Sequence, residues 1–178
     1  MLCSAGCHVP GSAGETAETS EEKYGIRSLV MADGPAGLRL RQSYEADKES
    51  GTVYGAGVLG CLENGFLEPM EHHEGAEIYY QFCTAFPVGT LMAQTWDEEL
   101  LKEFGRAIAE EMKEFYVDLW LAPGMNIQRN PLCGRNFEYY SEDPLLSGVM
   151  AAAVTEGVQS RKGCGVTLKH FACNNQED

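Results

Sequence analysis

Three short apolar runs in this 178-residue chain each lead to a polar group that could do chemistry. SLVMA (28–32) delivers Asp33, VDLWLA (117–122) feeds a loop that holds Arg135, and GVTL (165–168) delivers the adjacent pair Lys169 and His170. A buried lysine without a partner is costly, so Lys169 at a strand end needs a carboxylate such as Asp33, or the hydroxyl groups of a ligand. The residue types alone leave blander roles open. Lys169 could sit in a structural ion pair, His170 could be a satisfied core histidine, and Arg135 could pin its own loop.

The elements that must position these groups follow from periodicity. Residues 1–23, rich in Gly, Ser, Thr and Glu, read as a lead-in loop, and residues 26–32 as a strand closed by the turn Asp33-Gly34-Pro35. Residues 41–83 read as a long loop or insertion. In DEELLKEFGRAIAEEMKEF the apolar residues Leu100, Leu101, Phe104, Ala107, Ile108, Met112 and Phe115 recur at helical spacing, and Thr95 with Glu98 predicts a capping box at its start. A second helix is predicted from Asp143 as cap and Pro144 at its first position. Strand, loop, helix, strand, long loop, helix, strand is the pattern of an α/β fold with a parallel sheet, either a barrel or a doubly wound sheet. In either, the carboxyl ends of the strands share one face, where Asp33, Arg135, Lys169 and His170 are expected to converge.

Composition narrows the partners. Asp plus Glu number 27 against 13 Lys plus Arg, a formal charge of -14 that repels nucleic acid and anionic membranes and favours a neutral ligand. The seven cysteines include no C-x-x-C pair, which together with the lack of a basic, apolar leader in MLCSAGCHVPGSAGE predicts reduced thiols in a cytoplasmic protein. No metal site is expected: Cys3, Cys7 and His8 read as a flexible start, and His72 and His73, adjacent in sequence, as a solvated surface whose rings point apart. G-K-[ST] does not occur, which disfavours a phosphate binder.

Four stretches carry a resemblance. LVMADGPAGLR (29–39), TAFPVGTLMAQTWD (84–97), APGMNIQRNPLCGRNFEYYSEDP (122–144) and GVQSRKGCGVTLKHFACNNQE (157–177) resemble, in order and spacing, the N-terminal barrel domain of family 3 glycoside hydrolases, in its β-glucosidase-like branch. The resemblance implies an incomplete TIM-type (β/α)8 barrel over residues 24–178, the first half of the barrel only. It implies a retaining, exo-acting β-glycosidase that works without a cofactor on small sugars or glycosides. It also implies a sugar-binding cluster of Asp33, Arg39, Arg135, Lys169 and His170. Such a cluster makes physical sense, because hydroxyls both donate and accept and charge-assisted hydrogen bonds are roughly twice as strong as neutral ones. Consecutive residues at a strand end normally point to different sides. Both Lys169 and His170 reaching one sugar therefore predicts a strained or cis peptide at Lys169–His170 or His170–Phe171.

The same resemblance implies what is lacking. Retaining hydrolysis needs two carboxyl groups about 5–5.5 Å apart. The family's nucleophile lies in a downstream T-D-W-like strand motif that does not occur here, and its acid/base lies later still. Asp143 reads as a helix cap, and Glu138 and Glu142 as partners of loop arginines or solvent, so no catalytic residue is assigned. The chain is expected to be a fragment, inactive by itself, whose missing remainder would complete the barrel and add an α/β domain. A non-catalytic carbohydrate-binding protein of the same fold is the alternative.

Overall fold

The computed structural model describes residues 3–4, 8–16, 19–54 and 72–176. Three parallel strands carry the architecture: β3 (Val30–Ala32), β7 (Leu119–Trp120) and β8 (Gly165–Val166). Their register aligns Ala32 with Trp120 and Trp120 with Val166, so Asp33 leaves the sheet one residue beyond this row. The strands are shorter than their apolar runs. The ladder nevertheless continues, with Leu121 N–H donating to Ala32 O at 2.8 Å and Thr167 N–H to Trp120 O at 2.8 Å.

The lead-in is not a loop. β2 (Gly14–Thr16) pairs antiparallel with β3 and β1 (Cys3–Ser4) antiparallel with β2, giving the order β1-β2-β3-β7-β8, and helix α1 (Thr19–Tyr24) follows β2 in the chain. Residues this polar form a strand because Glu15, buried in it, accepts from the backbone N–H groups of His8 and Val9 and meets His8 Nδ1 at 2.7 Å. The proposed Cys3–Cys7–His8 start falls partly outside the described residues. Residues 41–83 are also more regular than expected: β4 (Ser43–Ala46), β5 (Val53–Tyr54) and β6 (Glu77–Tyr80) form a separate antiparallel sheet, with 55–71 outside the described residues. His72 and His73 do not point apart. Both turn Nδ1 onto the buried Glu45, at 2.7 and 3.0 Å, and the ring of Tyr54 stacks on His73.

Helix α2 (Gly89–Ala93) precedes α3 (Glu98–Glu114), and α4 (Pro144–Gln159) precedes β8. The cap of α3 is Asp97, whose side chain accepts from Leu100 N–H at 3.0 Å, and not Thr95. Thr95 is already used, its hydroxyl donating to Met92 O at the end of α2. Asp143 caps α4 with Pro144 first, as expected. The order β3-β7-β8 advances in one direction, so right-handed crossovers place α3 and α4 on the same face of the sheet, where they pack together. Leu101, Phe104, Ile108 and Met112 of α3 meet Met150, Val154 and Val158 of α4 over Trp120, with Phe86, Phe104 and Trp120 packed ring edge to face.

Where α3 and α4 cross, two glycines face each other. A methyl group on Gly105 would lie 2.4 Å from Val154 O, and one on Gly157 would lie 2.2 Å from Lys102 O, both backbone atoms that cannot swing aside. Gly105→Ala and Gly157→Ala should each lower the unfolding free energy by about 1–3 kcal/mol, the usual cost of overpacking. Gly148→Ala, in α4 with nothing near it, should be neutral or stabilising by up to roughly 1 kcal/mol. Urea denaturation of the three variants decides this. Equal stabilities would mean that the helices are not in backbone contact.

Candidate functional site

Asp33 is fixed by the turn that follows β3. Gly34 and Gly37 adopt φ of 116° and 122°, and a side chain on Gly34 would collide with Gly37 O at 1.9 Å, so the tight turn requires glycine. The buried indole of Trp120 donates to Gly34 O at 2.9 Å, and Arg39 N–H donates to Asp33 O at 2.8 Å. That closure turns the Arg39 guanidinium back onto Asp33 Oδ2 at 2.7 Å.

Lys169 and His170 are fixed by the segment after β7. Lys169 N–H donates to Pro123 O at 3.1 Å, and Met125 N–H donates to Lys169 O at 2.8 Å. Asn126 holds the next residue on both sides, accepting from His170 N–H at 2.5 Å and donating to His170 O at 3.1 Å. The Lys169–His170 peptide is cis, as the adjacency of the two side chains predicted. The Lys169 ammonium, with only 13% of its side chain exposed, lies 2.8 Å from Asp33 Oδ1 and 3.4 Å from Glu138 Oε2. It thereby spans the ends of β3 and β8 across the intervening β7.

Arg135 precedes a single 3-10 turn, Asn136–Glu138, whose geometry brings its guanidinium onto Glu138 Oε1 three residues on. Gln128 Nε2 braces this turn, within hydrogen-bond distance of Asn136 O, Tyr139 O and the Thr90 hydroxyl. Arg135 Nη2 also lies 2.7 Å from His170 Nε2, and Tyr139 Oη lies 3.0 Å from His170 Nδ1. A guanidinium only donates, so Nε2 must accept and the ring proton resides on Nδ1, which donates to Tyr139. Asn174 donates to the same hydroxyl at 2.9 Å.

All five expected residues therefore meet in one cluster, in which Arg39, Asp33, Lys169, Glu138 and Arg135 alternate in charge. Glu138 is the loop-arginine partner expected of it, and it holds Lys169 as well. Glu142 is exposed and stands apart. Sequence reasoning missed Asn126, Tyr139 and Asn174, whose parts depend on contacts 31 to 44 residues distant. Among the described residues, no group of three or more His, Cys, Asp or Glu could hold a metal ion, and no helix is long and apolar enough to cross a membrane.

Burial pushes the Asp33 carboxyl up. The Lys169 hydrogen bond and charge, the Gly34 N–H and the Arg39 charge outweigh it and hold the group below the ordinary carboxylate value. Burial, and then the charge of Arg135, lowers the His170 pKa. The site thus presents an ionised carboxylate, three cationic donors and a neutral imidazole. Each of these can exchange hydrogen bonds with hydroxyls. Asp33 and Glu138, the carboxylates of the cluster among the described residues, both face cations.

The sequence matches the model of the glycosyl hydrolase family 3 N-terminal domain over residues 68–178. It is 42% identical over 156 residues to thermostable beta-glucosidase B of Acetivibrio thermocellus, covering 88% of this chain and 17% of that protein. It is 53% identical over 156 residues to an exo-alpha-(1->6)-L-arabinopyranosidase of Bifidobacterium longum, with the same two coverages, 88% and 17%. Beta-glucosidase 3B from Thermotoga neapolitana, solved in complex with glucose, superposes with a TM-score of 0.72 at 46% identity, covering 95% of this chain and 19% of that one. The chain thus spans 17% of the length of these two curated relatives.

A neutral His170 against Arg135 has a pH signature. Its folded pKa lies below the ordinary value, so as pH falls the unfolded chain takes up this proton first. The contribution to stability is full above about pH 6.5 and is lost as pH falls from there through the folded value. Denaturant midpoints measured across this range should fall more steeply in the natural chain than in His170→Gln. Parallel profiles would show that His170 is not held neutral by the network.

Proposed function

The chain belongs to glycoside hydrolase family 3, as a β-glucosidase-like N-terminal domain, and from that premise we propose that its charged cluster holds the terminal sugar of a β-glycoside. The observation that carries this reading is the convergence of Asp33, Arg39, Arg135, Lys169 and His170 at the carboxyl ends of parallel strands. Asp33 accepts from sugar hydroxyls, while Lys169, Arg39 and Arg135 donate to them. A vicinal diol can do both at once, which suits a cluster where donors and an acceptor lie within 2.8 Å of each other.

The reaction proposed is retaining, exo-acting hydrolysis of terminal non-reducing β-D-glucosyl residues. Its nucleophile and acid/base belong to sequence beyond this chain, since the carboxylates of the cluster are spent on cations. The single-direction winding of β3, β7 and β8 supports the first part of a (β/α)8 barrel. On this reading the chain contributes binding and orientation, and not bond breaking.

Calorimetry of the 178-residue chain with glucose tests the binding, and release of p-nitrophenol from its β-glucoside tests the chemistry. Glucose should bind with no turnover. Asp33→Asn and Lys169→Met should each weaken binding on the order of tenfold or more, the loss expected when a charge-assisted hydrogen bond to a ligand is removed. Clear turnover by purified material of verified mass, or glucose binding indifferent to both substitutions, would overturn the reading.

A further inference from the structure

Glu138 lies within the cluster, yet the sugar-binding reading gives it no task. Its side chain is 2% exposed, Arg135 occupies Oε1, and Lys169 stands at Oε2. Its backbone is wedged from two sides: a Cβ on Gly124 would come within 2.9 Å of Glu138 O, and one on Gly89 within 3.2 Å. Its main chain is thus closely packed on both sides, and both oxygens of its carboxylate face cations.

We infer that Glu138 is a positioning residue, a buried counter-charge that sets the spacing and aim of Lys169 and Arg135 toward the sugar without touching the sugar itself. The inference rests on the sugar-binding reading of the same site. Asp33 cannot take over this task, because its second oxygen already holds Arg39. Among the described residues, Glu138 is the anion that lies against both Lys169 and Arg135, so without it the attraction that holds these two cations side by side is lost. Like charges in a partly buried site repel strongly, so the two cations would part. A donor displaced by even about 1 Å loses much of its value in holding a ligand in one pose.

Glu138→Gln keeps the shape and removes the charge, whereas Glu138→Asp keeps the charge and shortens the arm. Glucose affinity, measured by calorimetry, should fall on the order of ten- to a hundredfold in Glu138→Gln, the scale of breaking a buried ion pair. Among the described residues the titratable groups facing His170 are Arg135, Lys169, Glu138, Asp33 and Tyr139, and the Glu138 charge raises its proton affinity. Nuclear magnetic resonance titration without sugar should therefore find the His170 pKa lower still in Glu138→Gln and unchanged in Glu138→Asp. A merely structural role would lower the melting temperature while leaving the His170 pKa and the affinity of the folded protein unaltered, and that result would overturn the inference. If the natural chain binds no glucose, the sugar reading fails by itself, and an unmoved His170 pKa in Glu138→Gln would separately refute the role given to Glu138. Should Glu138→Gln not fold, Glu138→Asp decides: weakened glucose binding with an unmoved His170 pKa supports the positioning role, and full affinity sinks it.

Discussion

One ammonium group between two carboxylates is the constraint on which this structure turns. Lys169 ends a strand two positions away in the sheet from the strand that ends at Asp33, and its ammonium meets Asp33 directly and Glu138 more loosely. Withdrawing that charge from water is costly unless the partners are in place. Three separated segments must therefore arrive together: the turn after β3, the loop after β7 and the end of β8. The arrangement of the cluster follows from satisfying this one group.

The fold supplies the convergence through ordinary means. Parallel pairing puts the carboxyl ends of β3, β7 and β8 on one side, and the one-directional winding keeps α3 and α4 together on one face. The glycine contact at Gly105 and Gly157 lets the two helices approach until their backbones touch. Trp120 links these layers. Its ring packs against Phe104 beneath, and its indole N–H holds the turn that presents Asp33. Core packing and site geometry thus share a residue, so a loss of packing at Trp120 would be felt at the carboxylate.

The electrostatic design explains how so many cations coexist. Alternating signs along Arg39, Asp33, Lys169, Glu138 and Arg135 let each charge lie next to its opposite. His170 extends the chain only as a neutral ring, because Arg135 claims the lone pair of Nε2 and a second proton there would place cation against cation. The overall charge of -14 gives no hint of this local excess of cations. Net charge describes the surface field and not the arrangement within a pocket.

The sequence by itself determined a good deal. Helical periodicity marked α3 and α4, apolar runs marked β3, β7 and β8, and the placement of charged residues after those runs marked Asp33, Arg135, Lys169 and His170, because local propensity and burial patterning are written in neighbouring residues. The motif resemblance added Arg39. What only the tertiary structure decided was everything requiring distant partners. The polar residues of β2 become a strand by pairing with β3, and those of β1 by pairing with β2, while Asp97 displaces Thr95 as cap because α2 has already used the threonine. His72 and His73 converge on Glu45 from 27 and 28 residues away. Asn126 and Tyr139 acquire their parts from His170 in the same way. Such groups are polar and unremarkable in sequence; their partners lie on other elements, and only folding brings the donor to its acceptor.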